Sequence, residues 1–135
     1  MFLYTRRVQF YETDAQGIVH HSNYFRYFEE ARGELLRYLG LPYSKLREEG
    51  FEVVLVFAGC EFSKPLKYDQ EFQIRLALSH IDRFSFSFEY EVVVENMLRA
   101  KGRTKHCLVR DGKIVSVPQT LREKLTEFFS GLCRR

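Results

Sequence analysis

Residues 10–40 read FYETDAQGIVHHSNYFRYFEEARGELLRYLG, and the change of pattern inside this stretch decides the fold. From Tyr24 onward apolar residues recur at three- and four-residue steps: Tyr24, Tyr27, Phe28, Ala31, Leu35, Tyr38 and Leu39, with Phe25 and Leu36 widening the stripe. Ser22 or Asn23 is placed to cap this helix and Gly40 to stop it. About 16 residues at roughly 1.5 Å each give a helix about 24 Å long, comparable to the width of a small domain. So wide an apolar face predicts a central helix. Ahead of it, between Tyr11 and Asn23, the residues become Glu, Thr, Asp, Gln, Gly, His and Ser, which favour turns and caps. Loops of about a dozen residues are often functional.

Outward from the helix the pattern is that of strands. Residues 3–10 alternate, with Tyr4, Arg6, Val8 and Phe10 on one side. Leu41-Pro42 breaks the chain after the long helix, and residues 43–49 read as a short amphipathic helix ended by Gly50. Residues 51–62 are rich in Val and Phe, and residues 71–78 put Phe72, Ile74, Leu76 and Leu78 on one face. Residues 84–94 give the cleanest period of two, with Phe84, Phe86, Phe88, Tyr90, Val92 and Val94 together. A further run, 98–110, meets the hairpin signal Asp111-Gly112 before residues 113–117. Turns at 65–69, 80–83 and 95–97 predict antiparallel hairpins between neighbours. After Pro118, the spacing of Leu121, Leu125, Phe128 and Phe129 predicts a C-terminal helix. The class is therefore α+β: one curved antiparallel sheet of about five strands around one long helix, as a single domain over residues 1–135.

Composition narrows the function classes. A chain of 135 residues is long enough to bury a core without disulfides or metals, and 13 Phe with 8 Tyr and no Trp predict a core of large rings. The net charge of +3 is too small to argue for wholesale nucleic-acid binding, and no nucleic-acid partner is expected. Cys60, Cys107 and Cys133 are widely spaced and form no C-x-x-C pair, so neither a disulfide framework nor a zinc site is indicated. No apolar run approaches the 18 or so residues needed to span a bilayer, and a soluble cytoplasmic protein is expected.

Asp14 is the chemically suggestive side chain, a carboxylate in a tight loop just before a helix N-terminus. Free N–H groups of a first helical turn can polarise a carbonyl oxygen while a carboxylate attacks the carbon or activates water. The bland reading is that Asp14 caps a turn, as most loop aspartates do. Other candidates carry less. His20 and His21 are adjacent, and adjacent side chains generally point different ways, while His80 and His106 add no metal-ligand spacing, so no metal is expected. Cys107 beside His106 resembles a nucleophile pair, but strand neighbours face opposite ways, and a buried structural thiol is the better reading. Arg99, Lys101, Arg103 and Lys105 recur at period two, either a solvated strand face or a holder of phosphates. Of Glu29 and Glu30 in mid-helix, one is expected at the helix surface.

The segment YETDAQGIVHHSNYFRYFEEAR, residues 11–32, resembles the signature of the 4-hydroxybenzoyl-CoA thioesterase family, close to the Tol-Pal-associated acyl-CoA thioesterase branch with D-T-D-x-x-G-V-V-Y-H-x-N-Y-x-x-F-x-E-x-A-R. Departures are Glu12-Thr13-Asp14, which lacks one upstream Asp, and His20 where Tyr is usual, at a loop position able to alter the acyl pocket. The resemblance implies a hotdog fold and hydrolysis of an acyl-CoA thioester. By position it makes Asp14 the catalytic carboxylate, Gly17 the residue allowing the close turn, and the His21 N–H the group that polarises the carbonyl. The physics agrees, because a thioester is already activated and an ionised carboxylate need only attack it or deprotonate water. The His21 ring serves equally as a neutral hydrogen-bonding group at the helix start or as an orienter of Asp14 or substrate. Asn23 and Tyr24 line the site by analogy, although capping and packing explain them as well. Arg83, Lys64 and Lys67 are candidates for the coenzyme A phosphates. The resemblance further implies a homodimer or a homotetramer built as a dimer of dimers, with the site made by the Asp14 loop of one subunit and the helix mouth of another, and no cofactor. Two alternatives remain open: a hotdog dehydratase or hydratase on an acyl thioester, and a non-catalytic acyl-thioester-binding protein.

Overall fold

The computed structural model describes residues 1–133, with side chains up to Ser130; the side chain of Cys133 lies outside the described residues. In chain order the elements are β1 (Phe2–Arg7), a 3-10 turn (Phe10–Glu12), α1 (Ser22–Tyr38), α2 (Tyr43–Glu48), β2 (Glu52–Phe62), β3 (Glu71–Ile81), β4 (Ser85–Val94), β5 (Met97–Arg110), β6 (Lys113–Val115) and α3 (Gln119–Cys133). The strands form one antiparallel sheet in the order β1-β3-β4-β5-β2, and β6 pairs with β5 where β4 has ended. The predicted α+β arrangement, a curled sheet holding one long helix, is present.

The alternation read from the sequence explains which face is inside. Phe86, Phe88, Tyr90 and Val92 on β4 and Ala100, Thr104, His106 and Leu108 on β5 are buried, while Glu89, Lys101 and Arg103 between them are exposed. The β3–β4 and β4–β5 hairpins form as predicted. Glu95 and Asn96 make the second turn at φ 50° and 65°.

The expected β2–β3 hairpin does not form. β2 pairs only with β5, from Glu52↔Val109 to Phe62↔Ala100, and lies at one edge, whereas β3 sits between β1 and β4. Residues 63–70 therefore cross from one side of the sheet to the other. Leu66 anchors the crossing: it is fully buried, and its carbonyl accepts the Val19 N–H at 2.8 Å. A local turn signal cannot reveal this, since a crossover and a hairpin use the same turn residues. Strand β1 also ends earlier than expected, because Gln9 to Glu12 closes a turn in which the Glu12 carboxylate accepts the Gln9 N–H at 2.8 Å. Phe10, expected on one side with Tyr4, Arg6 and Val8, is exposed as a result.

Helix α1 fills the concave face, with Tyr27, Phe28, Ala31 and Leu35 fully buried. The Phe28 ring stacks on Tyr90 with centroids 4.2 Å apart and 15° between planes. Burying each such side chain is worth about 1.5–3 kcal/mol, so this face is what holds the helix in the sheet. The cap differs from expectation. The helix starts at Ser22, and no side chain of the N-cap residue His21 caps it; instead His20 Nδ1 accepts the Ser22 N–H at 3.2 Å. Helix α3 adds Leu121, Leu125 and Phe129 to the core. Among the described residues no helix is long and apolar enough to cross a membrane.

Candidate active site

The Asp14 loop is held by backbone bonds. The Asp14 N–H donates to the Ile18 carbonyl at 2.8 Å, the Gly17 N–H donates to the Asp14 carbonyl at 3.0 Å, and Thr13 bridges Val19. Gly17 has φ +79°, and an added Cβ would meet nothing within 4 Å, so glycine is needed for its backbone conformation rather than for space. Asp14 itself is exposed. Its Oδ1 accepts the Gln16 N–H at 2.8 Å, the turn-capping role, which leaves Oδ2 without a partner among the described residues. One carboxylate thus closes a turn and still presents a free oxygen.

The helix mouth that stands beside this loop is the same chain's, because the Glu12 carbonyl accepts the His20 N–H and folds the loop back onto its own helix. The N–H groups of Val19, His20, Asn23 and Tyr24 donate to the carbonyls of Leu66, Glu12, His20 and His21, and that of Ser22 donates to His20 Nδ1. Among the described residues the His21 N–H alone in this run has no acceptor. A free amide at the positive end of a 17-residue helix is suited to an incoming carbonyl oxygen. Asp14, His21, Tyr24, Phe62 and Lys64 share the wall of one cavity of about 330 Å³. Tyr24 is buried edge-on to Phe62 at 4.9 Å, and burial pushes its hydroxyl above the ordinary tyrosine pKa.

Other predicted site residues are employed elsewhere. Asn23 is buried, and its amide donates to the Glu12 carbonyl at 3.0 Å, which ties the helix to the turn before Asp14. His20 bonds Ser22 Oγ at 2.9 Å, and its ring lies against that of His21 with centroids 4.2 Å apart and 31° between planes. Arg83 lies in the β3–β4 turn, its guanidinium 5.2 Å from the Phe84 ring centre. Since Phe62 aligns with Ala100 and Ala100 with Val92, Arg83 is at the opposite end of β4 from the cavity, about 30 Å away at roughly 3.3 Å per residue. One chain therefore does not bring Arg83 to Asp14. The basic stripe is interleaved with acids: Lys101 stands opposite Glu61 and Glu91 on the neighbouring strands, Arg103 stands opposite Glu89, and Arg99 donates to the Pro65 carbonyl at 3.0 Å. The reading of Cys107 as a buried thiol is corrected, since His106 takes the inward position and Cys107 is half-buried. Among the described residues no group of three or more His, Cys, Asp or Glu is placed to hold a metal ion.

Sequence reasoning missed the buried ion network behind the loop. Glu12 accepts from Arg6 at 2.6 Å, from the Gln9 N–H at 2.8 Å and from the Tyr27 hydroxyl at 2.9 Å; Arg6 also pairs with Glu30 at 2.6 Å, which accepts from Tyr4 at 2.7 Å. Burial alone would raise the Glu12 carboxyl, but Arg6, the Gln9 amide and Tyr27 together hold it below the ordinary glutamate value. Burial, and then the hydrogen bond and charge of Glu30, push the Tyr4 hydroxyl up to about 12. The signal available in the sequence was Arg6 on the inner face of β1, where an unpaired cation would be costly.

Residues 8–125 match the model of the Thioesterase-like superfamily. An Aquifex aeolicus protein named "Putative esterase" is 61% identical over 126 residues, covering 93% of this chain and 98% of that one. The acyl-CoA thioesterase YbgC of Haemophilus influenzae is 28% identical over 117 residues, covering 86% of each. The solved structure of a gentisyl-coenzyme A thioesterase superposes with a TM-score of 0.84 at 29% identity, over 92% of this chain and 98% of that one. The fold is the hotdog fold, and the chain belongs to the Thioesterase-like superfamily.

Proposed function

We propose that this member of the Thioesterase-like superfamily hydrolyses an acyl-CoA thioester to the free acid and coenzyme A. The observation that carries the reading is the shared wall of the Asp14 cavity, where a carboxylate with a free oxygen and the His21 residue with its unpartnered N–H meet. The N–H takes the thioester oxygen as negative charge develops on it. Asp14 acts either as general base, removing a proton from the attacking water, or as nucleophile, forming an acyl anhydride that water then opens. In both cases the C–S bond breaks and the thiolate leaves and is protonated. Gly17 supplies the turn, Tyr24 and Lys64 contact the substrate, and His20 and Asn23 hold the helix mouth in place.

The active assembly we propose is a homodimer, with a dimer of dimers as the larger form. Strand β2 supports it: its outer edge is unpaired, and Leu55, Val56 and Phe57 on it are 49%, 50% and 44% exposed. Long apolar edges of this kind invite pairing with another strand. Antiparallel pairing of two β2 edges sets the Asp14 end of one copy against the Arg83 end of the other, which makes Arg83 available to the coenzyme A phosphates. The domain is taken as residues 1–135, working in the cytoplasm without metal or redox cofactor. Placement near the Tol-Pal-associated branch rests on the 11–32 signature and on the similarity to YbgC.

The experiment is thiol release from a panel of acyl-CoAs by wild type and Asp14→Asn. Release by wild type and its loss in the variant are expected. Wild-type rates in Asp14→Asn would overturn the mechanism, and turnover without thiol would identify a dehydratase.

A further inference from the structure

A second cavity, of about 470 Å³, opens between α1, α2 and the start of β2, and its interior differs in chemistry from the cavity at Asp14. Leu46, Phe51, Val53 and Leu55 supply apolar wall, and Arg32, Tyr43 and His106 supply polar groups. Arg32 is only 8% exposed, and among the described residues no carboxylate lies within 4.0 Å of it. Its contacts are phenols: Nη1 donates to the Tyr90 hydroxyl at 3.1 Å and Nε to Tyr43 at 3.4 Å. A buried guanidinium that faces only neutral oxygens still carries its charge, and an anion entering the cavity would neutralise it.

The hydrogen bonds behind Arg32 fix the proton on His106. Tyr90 accepts from Arg32, and its own proton has one acceptor within reach, Thr104 Oγ1 at 2.5 Å. Thr104 then donates to the remaining partner of its hydroxyl, His106 Nε2 at 2.8 Å. The Tyr90 and Thr104 protons are both accepted only if His106 Nε2 carries no hydrogen, which puts the hydrogen of a neutral ring on Nδ1. Burial and then the Arg32 charge favour the neutral ring. The Nδ1–H has no acceptor among the described residues, so the cavity holds two kinds of donor, guanidinium and imidazole N–H, and no buried carboxylate. Glu29 and Glu52 also line it, but both are exposed and screened by water.

We propose that this cavity selects a carboxylate at the far end of the acyl group, so that the substrates are monothioesters of dicarboxylic acids. The inference rests on the thioester-hydrolysing reading of the Asp14 site and on the pairing of two copies through β2. Within one chain Val53 and Phe62 mark the two cavities, about 30 Å apart along the strand at roughly 3.3 Å per residue. Antiparallel pairing of two β2 edges brings the Phe62 end of one copy to the Val53 end of the other. The thioester then sits at Asp14 while the acyl chain runs into the second copy's cavity toward Arg32 and His106.

The test compares adipyl-CoA with hexanoyl-CoA, equal in chain length and different in the terminal carboxylate. Both kcat/KM and the calorimetric Kd are measured on the intact homo-oligomer for wild type, Arg32→Gln, Arg32→Lys and His106→Asn. Wild type is expected to favour adipyl-CoA by roughly tenfold or more, the scale of a charge-assisted hydrogen bond. Arg32→Gln brings the ratio to about one, and Arg32→Lys and His106→Asn keep part of it. A wild-type ratio at or below one overturns the inference, as does an Arg32→Gln variant that slows both substrates equally and keeps the ratio. The wild-type ratio decides even if the Arg32 variants fail to fold. Hydrolysis of both substrates without adipyl preference removes this inference and leaves the hydrolase reading. Preferential adipyl-CoA binding without thiol release from either does the reverse.

Discussion

The Glu12 carboxylate accepts the Tyr27 hydroxyl at 2.9 Å, and this one contact joins the turn before the Asp14 loop to the buried face of helix α1. Both ends of the candidate site are thereby set from behind. The Glu12 carbonyl also accepts the His20 N–H and the Asn23 amide, so a single residue fixes the helix mouth by backbone and side chain together.

Removing the Glu12 charge leaves Arg6 partly unpaired in a buried setting. Glu12→Gln is expected to lower stability by about 3–5 kcal/mol, and Tyr27→Phe by only about 1–2 kcal/mol, since it deletes one neutral donor. Urea unfolding of the two variants checks this. Equal losses would show that the hydroxyl, not the ion pair, carries the link.

Asp14 is exposed and bonded only within its own turn, so stability depends little on it. Asp14→Asn is expected to leave the melting temperature within a few degrees of wild type while thiol release falls by roughly 10²-fold or more. Calorimetry and a thiol assay on the same preparation separate the two effects.

Acid stability is set first by His106. Its pKa is lowered to about 3 by burial and by Arg32, against 6.5 for a free histidine. Between those values the unfolded chain binds a proton that the folded chain does not, so stability falls as pH drops below 6.5, by about 2 kcal/mol at pH 5. Glu12 acts lower down: its folded value lies below 4.5, so its contribution is present above that pH and disappears as pH falls through the folded value. Unfolding free energies from pH 7 to 5 should have a clearly flatter slope in His106→Gln; an unchanged slope would remove His106 as the cause.

Gly102 on β5 gives Phe28 its place. A Cβ there would sit 2.5 Å from Phe28 Cζ, and the ring cannot retreat because it is stacked on Tyr90. Gly102→Ala is expected to destabilise by about 1–3 kcal/mol or more through overpacking. Gly112→Ala, with open space but φ +75°, tests backbone strain alone for comparison.

The exposed β2 edge predicts the assembly. Lysines at Val54 and Val56 add charge to the edge without touching the core, and the double variant is expected to run as a monomer in light scattering and to lose thiol release. A monomer with full activity would contradict a shared site.

Periodicity was legible wherever one face of an element meets the core. The helix from Tyr24, the strand ending at Val94 and the closing helix were readable because burial on one side writes a period of two or about 3.6 into the residues. The connection at 63–70 was not readable, because Pro65 and Asp69 signal a turn without saying where the next strand goes. For the site, Asp14 in a loop just before a helix start was legible as local chain geometry, while Gly17 and the His21 N–H were pointed to by the resemblance of residues 11–32. The positions of Arg83, Asn23 and His106 were not, since each depends on what an opposing element puts in front of it.

The sequence by itself determined the class of elements, the inward rings and the loop that presents Asp14, because these depend on neighbours within a few residues. Only the tertiary structure decided that β2 stands at an edge beside β5, that Glu12 and Glu30 together hold Arg6, and that Arg32 and His106 share a cavity. Those contacts join residues far apart in the chain, and their energy comes from burying charges and rings against partners that no local pattern specifies.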